Sequence, residues 1–254
     1  LWEDRALSHS VIERAWQLGC EALFVTLDLP VPPNREYIQR NGFGTPFTLN
    51  ARNTLDVLTH PWWLAGVMGR YMLEGGIPTQ ANLPDRLRTK VTKGAPPGAL
   101  FKQDDLDWDG AKELRDRWPG KFVLKGVLHP DDALKALALG ADGIVVSNHG
   151  GRALDCSIAS MEALPAIVDA VGGRMTVFLD SGVRRGSDVV KAVACGADAV
   201  LAGRAPLYGL AAFGEAGVTR AIELLRTETV RTMAMLGART FGEARAALTG
   251  EAPA

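Results

Sequence analysis

The sequence predicts an α/β fold of parallel strands alternating with helices, and three observations predict it. First, a helix–glycine–strand unit repeats. It runs through residues 18–26 (LGCEALFVT), 139–147 (LGADGIVVS) and 195–203 (CGADAVLAG). Second, the strand portions are continuous apolar runs, as expected of parallel strands covered on both faces. Third, chemistry-bearing residues collect where each strand ends.

The elements follow in order. A helical segment at 6–18 ends at Gly19, where a left-handed residue costs glycine little, and leads into a strand ending at Thr26. Further strands fall at 121–125, 175–180 and within the second and third repeats. Helices are expected at 131–139, 161–171 and 187–195. This βαβ order places the chain in the α/β class. The strands close on Thr26 and Asp28, Lys125, Ser147 to His149, Asp180, and Gly203 with Arg204. Loading at every strand end fits a (β/α)₈ TIM barrel, whereas a doubly wound sheet concentrates ligands at one switch point.

The 254 residues would suffice for a whole barrel of ~250. Only five strands are legible, because residues 30–120 form one long excursion. Closure at this size needs about eight strands. The expectation is therefore a C-terminal portion of one barrel domain holding strands 4–8, with an insertion at about 36–118. The chain could also be an inert fragment.

Composition excludes several classes. The chain is 47% hydrophobic and 22% charged, which argues against disorder. A net charge of −1 and the lack of nucleic-acid module signatures argue against a nucleic-acid partner. Three scattered cysteines suggest neither a disulfide framework nor a metal site, and favour a reducing compartment. No basic leader with an apolar core opens the sequence, and no apolar run reaches the ~18 residues of a spanning helix.

Two loops look built for phosphate. Residues 180–188 (DSGVRRGSD) follow the fourth legible strand, with Gly182 and Gly186 permitting a tight loop and Ser187 or Asp188 able to cap the next helix. Gly203 and Arg204 follow the fifth. These positions suit any phosphate-bearing ligand, with Arg204 as a charged clamp.

The segment 147–152 (SNHGGR) carries the candidate base. His149 stands just past a strand, among glycines that let the loop fold over a planar ligand. Arg152 is placed to meet a carboxylate in bidentate fashion. Asp28 either fixes the His149 imidazole or caps the loop before Pro30. Lys125 is either a Schiff-base amine or a fixed positive charge beside a cofactor.

At these residues the chain resembles the FMN-dependent L-2-hydroxy-acid dehydrogenases and oxidases. The resemblance rests on residues 147–155 (SNHGGRALD), 180–188, 124–126 (LKG), 202–204 (AGR) and 26–28 (TLD) with Arg35. It implies FMN as cofactor, His149 as base and Asp28 as its partner. Arg152 and Arg35 would bind the substrate carboxylate. Lys125 would sit near the flavin N1–C2=O edge, and Thr26 and Ser147 against the ring. Asp180, Gly182, Arg184, Gly203 and Arg204 would hold ribityl and phosphate groups. No metal is implied. Ala153 departs from the family's usual glutamine, and the family's first three strands, which supply a tyrosine pair, further flavin contacts and a glutamine, have no counterpart here.

The excursion places Leu55, Leu58, Trp62, Trp63, Val67, Tyr71 and Met72 ahead of a basic stretch at 83–102. This suits an anionic membrane surface, with 45–82 as the contact, or alternatively a lid or an oligomer contact. The region 59–63 (THPWW) resembles the membrane-associated lactate and mandelate dehydrogenases. That resemblance implies peripheral attachment on the cytoplasmic side of the inner membrane, a quinone acceptor and a homotetramer. Rival readings are an oxygen-using oxidase and a phosphosugar lyase or isomerase acting through Lys125.

Overall fold

The computed structural model describes residues 5–42, 49–79, 88–90, 92–93 and 106–250. The chain divides into two compact units, one of residues 1–8 and 31–104, the other of 9–30 and 105–254.

The second unit holds a five-stranded, all-parallel sheet in the order β1-β2-β3-β4-β5. Its strands are β1 (Ala22–Thr26), β2 (Lys121–Val127), β3 (Gly143–Val146), β4 (Thr176–Asp180) and β5 (Ala199–Leu201). Helices α1 (Arg5–Gln17), α6 (Trp108–Arg117), α7 (Pro130–Ala138), α8 (Ser160–Val171) and α9 (Gly186–Ala194) alternate with them. Sequential order with parallel pairing is the arc of a (β/α)₈ barrel, here five of its strands. The strands are rich in β-branched, aliphatic and aromatic residues, and the central β3 is buried at all four positions. The edge strand β1 leaves Phe24 45% exposed, which fits its lack of a second neighbour among the described residues.

The repeated Gly-Ala-Asp has a structural reason. Gly196 takes φ +99 at the end of α9, and a β-carbon there would lie 2.6 Å from Val168 Cγ1. The aspartates that follow lock neighbouring strands together. Asp142 accepts the Phe122 N–H at 3.0 Å, and Asp198 accepts that of Val177 at 2.8 Å. Each also donates its own N–H to the carbonyl of that same residue at 2.8 Å.

The helices begin one residue earlier than the sequence suggests. Pro130 opens α7 with its fixed φ while His129 Nδ1 accepts from Asp131 N. At α9 the expected cap from Ser187 or Asp188 is displaced: the helix starts at Gly186, and Asp188, inside it, reaches back to accept the N–H groups of Arg184 and Arg185 at 3.0 and 2.9 Å. Strand β2 runs past Lys125 to Val127 through an irregularity at Gly126. That residue has φ +104, and a β-carbon on it would be 2.7 Å from Asp28 Cβ. Only glycine lets the end of β2 pass the Asp28 side chain.

Helix α6 lies inside the expected insertion yet is grouped with the sheet, so the first unit ends before it. Trp118, buried just after α6, meets Trp16 of α1 edge to face, with centroids 5.4 Å apart. After β5, α10 (Arg204–Met235) breaks at Phe213 and Gly214, and α11 (Phe241–Thr249) packs on α9.

The first unit carries α2 (Glu36–Arg40), α3 (Ala51–Thr59), α4 (Pro61–Trp63), a π-helical turn (Leu64–Gly69) and α5 (Arg70–Glu74). Asn50 and Asn53 cap α3 reciprocally at 2.9 and 2.8 Å. Leu55, Leu58, Trp62 and Leu73 are exposed, the last two to about nine-tenths. Residues 45–48, 80–82 and most of the basic stretch at 83–102 lie outside the described residues.

Candidate active site

The parallel strands deliver their C-terminal residues to one end of the sheet. Thr26 pairs in register with Lys125, and Asp180 with Leu201. Ser147, fully buried at the end of β3, is the hub. Its hydroxyl accepts from Lys125 Nζ at 2.9 Å and from the His149 N–H at 3.1 Å, and donates to Asp180 Oδ2 at 2.8 Å. Lys125 Nζ also lies 3.1 Å from Asp180 Oδ2. Burial works against the ionised Asp180, but hydrogen bonds from Ser147 and Lys125 and the ammonium charge outweigh it, holding the carboxyl below its usual range.

A depressed folded-state carboxyl stabilises the fold at pH values above its unfolded value of ~3.9, and this contribution is lost as pH falls through the lower folded value. An Asp180→Asn variant is therefore expected to lose stability near neutrality and to show a flatter decline below about pH 4 than the parent. Thermal unfolding across that range checks it.

His149 opens a turn in which three successive residues are left-handed, with φ of 57°, 70° and 67° at His149, Gly150 and Gly151. Every N–H of the turn is held. That of His149 goes to Ser147 Oγ, that of Gly150 to Ser181 Oγ at 2.8 Å, and that of Gly151 to Asn148 Oδ1 at 3.0 Å. The turn brings His149 Nδ1 to 3.1 Å from Asp28 Oδ1, across 121 residues of sequence. In the neutral imidazole a carboxylate there favours the tautomer with its proton on Nδ1 toward Asp28, which leaves the lone pair on Nε2.

Beside the turn lies a cavity of about 520 Å³ lined by Lys125, His149, Arg152, Asp180, Gly182 and Arg204, among others. A neighbouring cavity of about 360 Å³ shares Gly182, Arg184 and Arg204. At Gly182 and Gly203 a β-carbon would meet nothing within 4 Å, so these glycines leave open space rather than relieving an internal contact. The Arg152 Nε is buried with no hydrogen-bond partner. Open glycine loops, exposed arginines and an unmatched buried donor fit an anionic ligand with a phosphate tail, as FMN is.

Of the residues singled out in the sequence, Asp28, Lys125, Ser147, His149, Arg152, Asp180, Gly182, Arg184, Gly203 and Arg204 gather at this end of the sheet. Thr26 ends β1 beside Lys125 without lining either cavity. Arg35 precedes α2 in the first unit, its Nε buried without a hydrogen-bond partner. Arg204 reaches the Gly150 carbonyl at 2.8 Å. Sequence reasoning passed over Asn148 and Ser181, which hold the turn. A small polar residue in a loop after a strand is an ordinary composition, so no local signal marks them.

Among the described residues no group of three or more His, Cys, Asp or Glu side chains could hold a metal, and no helix is long and apolar enough to cross a membrane.

Residues 1–250 match the family of FMN-dependent dehydrogenases. The chain is 42% identical over 244 residues to an L-lactate dehydrogenase of Pseudomonas paraeruginosa, covering 95% of this chain and 62% of that protein. It is also 42% identical over 245 residues to an L-lactate dehydrogenase of Bartonella quintana, with the same coverage. Among solved structures, the monotopic membrane protein (S)-mandelate dehydrogenase superposes with a TM-score of 0.82 at 39% identity, over 93% of this chain and 62% of that one. A mandelate oxidase bound to (S)-2-phenylpropionate gives 0.71 at 33% identity, over 96% and 59%. The chain thus spans about three-fifths of the length of these relatives. Family match and strand-end chemistry agree: the chain belongs to the FMN-dependent dehydrogenases.

Proposed function

We propose that the protein oxidises an L-2-hydroxy acid of lactate or mandelate type to the 2-oxo acid, with His149 as base. The single observation that carries this reading is the His149–Asp28 pair at the edge of the 520 Å³ cavity, which Arg152 also lines. Oxidation of the CH–OH group removes two electrons and two protons. His149 Nε2 takes up one proton, and the Asp28 carboxylate stabilises the resulting imidazolium and fixes its orientation. Arg152 binds the substrate carboxylate, a role that the family resemblance also gives Arg35. Lys125 would offer a fixed positive charge, while Asp180, Gly182, Arg184, Gly203 and Arg204 would hold the ribityl and phosphate end of the cofactor, with Thr26 and Ser147 toward its ring. FMN, when bound, would supply the acceptor for the two electrons and the second proton.

The Lys125 amine is tied to Asp180 at 3.1 Å and to Ser147 at 2.9 Å, contacts that a Schiff-base amine would have to give up, which disfavours the lyase reading. The test is anaerobic addition of lactate, mandelate and other L-2-hydroxy acids to the flavin-loaded protein. Loss of the yellow flavin band with one of them supports the reading. An unchanged spectrum with all of them, together with borohydride trapping of a phosphosugar on Lys125, overturns it.

We further propose that the first unit docks peripherally on a membrane on the cytoplasmic side, that a quinone accepts the electrons, and that the protein is a homotetramer. Exposed Leu55, Leu58, Trp62 and Leu73 and the likeness to a monotopic membrane protein support the docking. Burying each such side chain contributes about 1.5–3 kcal/mol. The double variant Trp62→Ser with Leu73→Ser is expected to lower partitioning onto vesicles of anionic lipid by about tenfold or more. Co-sedimentation equal to that of the parent would sink the docking proposal.

A further inference from the structure

We propose that Ser181 is a positioning residue for the base: its hydroxyl fixes the left-handed turn that aims His149 at Asp28. The inference rests on the reading of His149 as base for its kinetic consequence, but the link between Ser181 and the turn stands on geometry alone.

Ser181 itself is one of only two non-glycine residues with positive φ among those described, the other being His149. At φ 84° its β-carbon is strained against the backbone, and the next residue, Gly182, has φ 81°. A glycine at 181 would adopt this conformation without that cost. The serine must therefore contribute something that a glycine lacks. Its Oγ accepts the Gly150 N–H at 2.8 Å.

That bond matters because of what else holds the turn. The N–H groups of His149 and Gly151 are tied to Ser147 and Asn148, both within the same loop. Gly150 is tied from outside on both sides: its N–H goes to Ser181 after β4, and its carbonyl accepts from Arg204 after β5 at 2.8 Å. The Arg204 side chain is exposed and lines both cavities, so a phosphate-bearing ligand competes with the Gly150 carbonyl for it. Ser181 carries no charge to attract such a ligand, and its acceptor bond does not depend on Arg204. It is the hold on the Gly150 peptide that persists when Arg204 turns to an anion. Ser181 Oγ also meets the Ser147 hydroxyl at 3.5 Å, a longer and weaker contact than the 2.8 Å bond to Gly150.

The test compares Ser181→Gly and Ser181→Ala with the parent in the flavin-loaded protein. The glycine variant removes the bond and relieves the strained φ, so it folds at least as well as the parent. The alanine variant removes the bond and keeps the strain. Three readouts are taken: hydrogen exchange at the Gly150 amide, the His149 Nδ1–H proton resonance, and kcat with KM for the preferred hydroxy acid. Both variants are expected to exchange at Gly150 about fivefold faster or more, the worth of one hydrogen bond. Ser181 itself lines both cavities, so kinetics are read at saturating FMN: both should broaden the Nδ1–H resonance and lower kcat by roughly tenfold, with KM little changed. A structural role alone would lower the melting temperature of the glycine variant and leave its resonance sharp. Parental exchange and an unaltered resonance in a folded Ser181→Gly protein overturn the proposal. If the parent oxidises no hydroxy acid, the catalytic reading fails, while exchange and resonance still decide whether Ser181 sets the turn.

Discussion

Replacing His149 with glutamine is expected to lower kcat by roughly 10³- to 10⁴-fold, while FMN content and the melting temperature change little. The side chain is one-quarter exposed, so its loss removes little packing. Glutamine has no atom that takes up a proton near neutral pH, yet its amide still donates toward Asp28 Oδ1, sparing that buried carboxylate the loss of its partner. What disappears is the proton acceptor alone. Stopped-flow measurement of flavin reduction checks this directly, because it isolates the chemical step from reoxidation. A decline smaller than tenfold would remove His149 from the role of base. Asp28→Asn should fall between the parent and this variant, since an amide can leave the imidazole in either tautomer and does not stabilise its charged form.

Lys125→Met is the second large effect, and it separates two contributions of one charge. Methionine fills most of the lysine stem's volume, so packing is largely kept. The ammonium, however, is lost from a pair whose side chains are only 18% and 17% exposed. Breaking a buried pair from one side costs about 3–5 kcal/mol when no other donor remains. Here Ser147 Oγ still donates to Asp180, so a loss of about 2 kcal/mol is expected. The carboxyl of Asp180 then titrates at higher pH than in the parent, and acid unfolding begins earlier. Adding Asp180→Asn removes the stranded charge, so the double variant is expected to recover most of that stability. FMN affinity, by contrast, is expected to fall by tenfold or more in Lys125→Met and not to recover in the double variant, where the positive charge is still missing and the Asp180 contact to the cofactor is lost as well. Calorimetric melting and fluorescence titration with FMN measure the two quantities. Equal FMN affinity in Lys125→Met and the parent would contradict the placement of Lys125 at the cofactor.

How far the site was legible in the sequence differs by residue, for physical reasons. His149, Lys125 and Asp180 each stand at the end of an apolar run. In a parallel sheet every such end comes to the same edge, so strand order by itself gathers them. Gly182 and Gly203 were legible as loop glycines, but the space around them was not. Whether a glycine relieves an internal clash, as Gly126 does against Asp28, or leaves room for a ligand depends on atoms far away in the chain. Ser181 was invisible because its importance lies in a positive φ and a bond to Gly150, 31 residues earlier. The insertion was visible as a break in the βα rhythm. Its end was not, because α6 is short and polar and reads as loop, although Asp107 caps it by accepting the Gly110 N–H at 2.8 Å and Leu114 buries its inner face.

The sequence by itself determined the α/β class, the parallel order and the identity of the polar residues at the strand ends. Periodicity and glycine placement are local properties, set by sterics and burial within a few residues. Tertiary structure decided the pairings: Asp28 with His149, Lys125 with Asp180 through Ser147, Ser181 and Arg204 on the Gly150 peptide. These are contacts between separate βα units, and their distances depend on sheet register and on left-handed turns at the strand ends. A charged or hydroxyl side chain reads the same in sequence whether its partner lies 3 Å away or nowhere. Only the fold supplies the partner.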